Sequence, residues 1–247
     1  GEPVPRQDVE RALRQASYKL VAVVHAETST GVLQPMEDLG ALARRAGALL
    51  LVDAVTSLGG VEVDVDGWGA DLCYSGTQKC LSCPPGLAPI TVSERALAVL
   101  SARKAPVQSW YLDLGLLARY WDEERVYHHT APVSMNYALR EALALVHEEG
   151  LEACWERHAQ TQHSLGRGLE ALGLRMLVPG EYRLPSLTTV SVPEGVDEAL
   201  VRRRLLENHG IEIGAGLGAF KGKAWRIGLM GHGCQRANVD LLLAGLS

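Results

Sequence analysis

The residue types best suited to chemistry in this chain are a lysine and an aspartate, each placed just after a short apolar run. Leu49-Leu50-Leu51-Val52-Asp53-Ala54-Val55 reads as a strand ending in a carboxylate, and in open α/β sheets ligands bind beyond the carboxyl ends of the strands. On this segment alone, a cap on the following turn is the simpler role for Asp53. Tyr74-Ser75-Gly76-Thr77-Gln78-Lys79 follows a second short strand, so Lys79 is expected to leave the sheet on the same edge. A lysine amine with its ordinary pKa of about 10.4 is protonated at neutral pH, and it becomes a nucleophile when burial or a nearby cation lowers that value. Lys79 is thus a Schiff-base candidate. A carboxylate opposite it could hold a pyridinium nitrogen protonated, making the ring an electron sink. Together Lys79 and Asp53 suggest pyridoxal phosphate.

The elements that would position them follow from the hydrophobic pattern. Short apolar runs at 20–24, 48–52, 72–75 and 87–92 alternate with segments of helical period at 36–45 and 94–103, which predicts an α/β unit with a largely parallel sheet. Pro35 is expected in the first turn of a helix and Gly47 just past its end. Beyond Gly150 the pattern predicts helices at 151–172, 197–208 and 236–244, with strands at 187–192 and 224–228. Residues 1–150 therefore read as a large domain and 151–247 as a smaller α+β domain, joined through a helix at 133–149.

Composition narrows the function classes. The chain has 247 residues, 47% of them hydrophobic, and 24 Lys plus Arg against 29 Asp plus Glu give a net charge of −5. These values describe a globular protein and give no support to a nucleic-acid partner. The one basic run, Arg202 to Arg204, reads as the solvated face of a helix. The apolar stretches are far shorter than the roughly 20 residues that cross a bilayer. Five cysteines, an odd number, fit free thiols in a reducing, cytoplasmic setting better than a disulfide framework.

Five segments carry a resemblance: His25-Ala-Glu-Thr-Ser-Thr-Gly-Val-Leu-Gln-Pro35, Val52-Asp-Ala-Val-Thr-Ser-Leu-Gly-Gly60, Tyr74-Ser-Gly-Thr-Gln-Lys79 with Pro84-Pro-Gly86, Tyr127-His-His-Thr130, and Arg226-Ile-Gly-Leu-Met-Gly231. In that order they resemble the fold-type I, class V aminotransferases, and within them the alanine-glyoxylate and serine-pyruvate aminotransferases. The resemblance implies a fold-type I transferase whose Lys79 forms the internal aldimine with pyridoxal 5'-phosphate. It implies Asp53 on the pyridinium nitrogen, Val55 against one ring face, the Thr28 hydroxyl near the phenolic oxygen, and Gln78 on the phosphate. Tyr127 and Thr130 would reach the phosphate of a neighbouring subunit in a homodimer, and Arg226 would hold the substrate carboxylate. Without the resemblance, Val55 reads as core, Thr28 and Gln78 as turn residues, Tyr127 as packing and Arg226 as half of a surface ion pair. The family also carries a stretch before the segment that opens this chain, implied to supply a Gly-rich phosphate loop, an aromatic residue on the other ring face, and further strands of the large-domain sheet.

The expected activity is transfer of an amino group from alanine or serine to glyoxylate or pyruvate. Cysteine desulfuration is the neighbouring chemistry, with Cys234 as its nucleophile. A folded but catalytically incomplete, partner-binding chain is the alternative from a different class. Other motifs carry less. Cys80 and Cys83 have metal-ligand spacing but no second pair at zinc distance, and read as free thiols. Gly214-Ala-Gly216-Leu-Gly218 imitates a dinucleotide fingerprint without opening a helix. His128 and His129 are expected to point apart, and His158 and His163 to face solvent. No metal site is expected.

Overall fold

The computed structural model describes residues 1–247. In chain order it contains α1 (Arg6–Gln15), β1 (Leu20–Val24), β2 (Ala26–Glu27), β3 (Val32–Leu33), α2 (Leu39–Arg45), β4 (Leu49–Asp53), β5 (Leu72–Tyr74), β6 (Ile90–Val92), α3 (Glu94–Ser101) and α4 (Leu114–Trp121). There follow α5 (Val133–Glu149), α6 (Leu151–Ala171), β7 (Leu187–Ser191), α7 (Glu198–His209), β8 (Gly214–Ala215), β9 (Ala224–Gly228) and α8 (Arg236–Leu246).

The first sheet has the order β1-β4-β5-β6. Its first three strands are parallel, with Val24 opposite Asp53 and Asp53 opposite Tyr74. Strand β6 closes the sheet antiparallel to β5. Parallel pairing with no stagger at the top puts the last residues of β1, β4 and β5 side by side, which makes their carboxyl ends one continuous edge. Leu39, Leu42 and Ala43 of α2 bury against Leu50 and Val52 of β4, with Val9 and Leu13 of α1 packed on the same cluster. Helix α2 starts three residues later than Pro35 and the pattern at 36–45 predict. Asp38 at its N-cap holds φ 64°, and this left-handed residue separates the extended Pro35 region from the first helical turn.

An internal ion pair ties the sheet to α3. The Asp71 carboxylate, 2% exposed, accepts from the Leu50 N–H at 2.8 Å, from Arg95 Nε at 2.8 Å and from Ser93 Oγ at 3.1 Å. Burial pushes the Asp71 carboxyl up, but the hydrogen bonds from Arg95, Leu50 and Ser93 outweigh it and hold the group below its ordinary value.

A second sheet is antiparallel in the order β7-β9-β8. Val190, Trp225 and Ile227 from it pack with Leu165 and Leu169 of α6, Leu205 of α7, and Val239 and Leu242 of α8. The two sheets meet at the β2–β3 turn, where Ala26 packs with Leu184 and Leu187. Gly31 is required there. Its φ is 79°, and an added Cβ would stand 2.6 Å from the Leu187 carbonyl oxygen.

Candidate functional site

Asp53 ends β4 and its carboxylate is held at both oxygens. Oδ1 accepts from the Val55 N–H at 2.9 Å, closing the turn that the sequence suggests for an aspartate at this place. Oδ2 accepts from the hydroxyl of Tyr74 at 2.6 Å. The turn beyond is fixed to β5 by Ala54 N–H donating to the Tyr74 carbonyl at 2.8 Å and Ser75 Oγ donating to the Ala54 carbonyl at 3.0 Å.

Lys79 is half-buried, five residues beyond the end of β5. Its loop is closed on itself: Ser82 N–H donates to the Lys79 carbonyl, Cys83 N–H to the Thr77 carbonyl, and Thr77 Oγ1 to the Pro84 carbonyl. Cys80, next in the chain, is buried and its thiol is pushed up to about 11 by burial. Inert packing on one side thus fixes the backbone that carries the amine. No carboxylate forms a salt bridge with Lys79 among the ion pairs of the fold.

Val55 and Gln78 line one cavity of about 640 Å³ together with Tyr74, Leu117 and His129. Asp53 and Lys79 are not in its wall. Thr28 lies in the β2–β3 turn, half-buried, and its carbonyl accepts from Arg226 Nη1 at 2.9 Å. Arg226 Nε donates to the Ala215 carbonyl at 2.7 Å, so the guanidinium is aimed by two carbonyls. Arg226 forms no ion pair, contrary to the surface-pair reading, and its two hydrogen bonds leave Nη2 without a partner in the fold. Tyr127 and Thr130 stand apart from this group: their exposed hydroxyls pair with each other at 2.8 Å, and neither bonds to Lys79, Asp53 or Gln78.

Four further expectations change. His158 is wholly buried, its Nδ1 2.7 Å from the Cys154 carbonyl and its Nε2 accepting from the Gly231 N–H at 3.0 Å. His128 and His129 do not point apart; their Nδ1 atoms are 2.9 Å from each other because the segment is a loop, without the alternation of a strand. Cys234, the nucleophile that desulfuration would need, is fully buried and burial raises its thiol above the ordinary value, the opposite of a reactive cysteine. Helix α2 starts late, as described above. The sequence reading gave no role to Tyr74. The signal for it is the register, since two strands ending side by side bring their last side chains to one face.

Residues 4–239 match the model of the family described as aminotransferase class-V. The chain belongs to the class V aminotransferases. It is 44% identical to the (S)-ureidoglycine–glyoxylate transaminase of Bacillus subtilis, over 97% of this chain and 62% of that protein. It is 46% identical to the alanine–glyoxylate aminotransferase of Callithrix jacchus, over 97% of this chain and 59% of that protein. The crystal structure of an alanine–glyoxylate aminotransferase from Nostoc sp. superposes with a TM-score of 0.98 at 52% identity, covering 100% of this chain and 65% of that one. The chain therefore spans about three fifths of the length of the relatives it matches. The fold is that of the fold-type I transferases, and class V membership implies pyridoxal phosphate as cofactor. The residues present fit that group: a carboxylate fixed at a strand end, a lysine without an ion partner in the loop that follows the neighbouring strand, and a guanidinium without one.

Proposed function

We propose that the protein is a pyridoxal-phosphate aminotransferase that moves an amino group from a small amino acid, alanine or serine, to glyoxylate or pyruvate. The observation that carries this reading is the shared carboxyl edge of β4 and β5, which ends in Asp53 and Tyr74 and leads directly to Lys79. When bound, pyridoxal phosphate supplies the electron sink for the substrate's α-carbon. Lys79 would hold the cofactor through its amine and, with substrate in place, would be the base that takes the proton from the substrate α-carbon. Asp53 would accept from the ring nitrogen, Val55 would pack on one ring face, the Thr28 hydroxyl would meet the phenolic oxygen, and Gln78 would bind phosphate. Arg226 orients the substrate carboxylate so that the α-hydrogen faces Lys79.

The same reading divides the chain at residue 150 into a large and a small domain and makes the protein a cytoplasmic homodimer with a shared site. Trp110, Tyr111, Trp121 and Tyr127 are 56–72% exposed, an aromatic surface suited to a subunit interface. Tyr127 and Thr130 within that surface would reach the neighbour's phosphate. Five free cysteines support a reducing compartment.

The test is to supply pyridoxal phosphate, alanine and glyoxylate and follow pyruvate and glycine. Borohydride reduction is expected to fix the cofactor on the peptide that carries Lys79, and Lys79→Ala to abolish turnover while the fold survives. Turnover retained by Lys79→Ala overturns the mechanism.

A further inference from the structure

Asp53 and Tyr74 are cross-strand partners at the ends of two parallel strands. Their side chains share a face, and the phenol reaches across to the carboxylate at 2.6 Å. An ionised carboxylate offers about four lone-pair directions. The Val55 N–H takes one at Oδ1 and the Tyr74 hydroxyl takes one at Oδ2. Both donors come from this chain's own backbone turn and neighbouring strand, so the plane of the carboxylate is fixed before any ligand arrives. A carboxylate fixed in this way meets a cationic N–H without first losing rotamer freedom.

We infer that Tyr74 is a positioning residue for the cofactor: its hydroxyl locks the Asp53 carboxylate in one orientation, and that orientation sets how tightly a pyridinium nitrogen is held. The inference rests on the aminotransferase reading and adds to it a residue that never touches the cofactor's ring nitrogen itself. The phenol is held as the neutral donor. Hydrogen bonding to Asp53, then burial and the carboxylate's charge, push the Tyr74 hydroxyl up to about 12. Tyr74 also forms part of the wall of the 640 Å³ cavity that contains Val55 and Gln78, so the lock lies beside the residues assigned to the ring face and the phosphate.

The experiment measures pyridoxal phosphate affinity of the cofactor-free protein by fluorescence titration for wild type, Tyr74→Phe, Asp53→Asn and the double variant. A hydrogen bond to a charged group predicts that Tyr74→Phe weakens binding roughly tenfold or more. It also predicts that Tyr74→Phe has no further effect once Asp53 is Asn, because the charge it positions is gone. The visible absorbance of the bound cofactor is expected to change its pH profile in Tyr74→Phe, a change that mere packing would not produce. Equal affinity and an unchanged pH profile in a folded Tyr74→Phe protein overturn the inference while leaving the aminotransferase reading in place. Failure of the wild type to bind pyridoxal phosphate overturns both.

Discussion

Arg226 and Thr28 are 198 residues apart in the chain, and Nη1 of the first donates to the carbonyl oxygen of the second at 2.9 Å. The bond runs from the middle of β9 to the turn between β2 and β3, so the second sheet carries its arginine to the carboxyl edge of the first. The neighbouring Gly31 turn makes this approach possible, since no Cβ fits against the Leu187 carbonyl. The placement of the Arg226 guanidinium thus depends on the packing of one sheet against the other.

Arg226→Ala is expected to raise KM for the amino acid roughly 100-fold, the loss of a charge-assisted pair worth about 2–3 kcal/mol. Cofactor retention should change far less than KM, because Arg226 touches neither Asp53 nor Lys79 and meets Thr28 only at its backbone carbonyl. Arg226→Lys should recover little, as a single ammonium cannot serve the Thr28 and Ala215 carbonyls and a carboxylate together. Steady-state kinetics beside a cofactor titration separates the two effects.

The Asp71–Arg95 pair predicts an acid limit to stability. The Asp71 carboxyl lies below its ordinary value of 3.8 in the folded protein. Its contribution is therefore complete above about pH 4, where the unfolded chain is also ionised, and is lost as pH falls through the lower, folded value. Arg95→Ala leaves a buried carboxylate without its guanidinium and is expected to cost about 3 kcal/mol at neutral pH. Denaturant unfolding at pH 7 and pH 3 checks both: the difference between wild type and variant should shrink at the lower pH.

Periodicity made much of this architecture readable, and its failures have local causes. Leu20–Val24, Val133–Glu149 and Ala224–Gly228 appear where the apolar pattern places them, although only Ala224–Gly228 is largely buried and the other two leave much of their apolar surface exposed. Pro35 misleads because Asp38 adopts a left-handed conformation that the sequence does not announce. His158 misleads because its sequence neighbours are polar, whereas its helical neighbours Cys154, Thr161 and Leu165 form the buried stripe. The bond between Tyr74 and Asp53 requires the strand register, which depends on sheet pairing rather than on either segment alone. Lys79, Asp53 and Arg226 were named from motifs; what aims Arg226, two carbonyls in other elements, has no sequence signature.

Glu149, at the end of α5, predicts a second acid-sensitive element. Arg157 Nη2 donates to Glu149 at 2.8 Å and its Nη1 donates to the carbonyls of Gly231 and Cys234 at 2.9 and 3.0 Å. Hydrogen bonding from Arg157 pulls the Glu149 carboxyl down from 4.5 to about 2. The stabilisation is present above pH 4.5 and fades as pH falls towards 2. Glu149→Gln should flatten the stability curve in that window. Arg157→Ala should cost about 2 kcal/mol at pH 7 by leaving two carbonyls without donors, and thermal unfolding monitored across pH distinguishes the two variants.

His25 predicts a loss of stability at milder acidity. The side chain is 4% exposed, lies edge-to-face on Trp68 with ring centroids 4.6 Å apart, and has an Nδ1 with no hydrogen-bond partner. Burial disfavours the imidazolium and lowers the pKa from 6.5 to about 4. Between those values the unfolded chain binds a proton that the folded protein does not, so stability rises with pH across this window. The contribution is complete above pH 6.5 and is lost as pH falls to about 4, a difference of about 3 kcal/mol. Burial lowers His158 as well, so it adds to the slope in the same direction. His25→Phe keeps a planar ring against Trp68 and removes the proton site. Denaturant unfolding at intervals from pH 7 to pH 4 should therefore show a clearly shallower decline for His25→Phe, with a remainder that His158 supplies; identical declines in the two proteins would show that His25 takes up its proton equally in the folded and unfolded states.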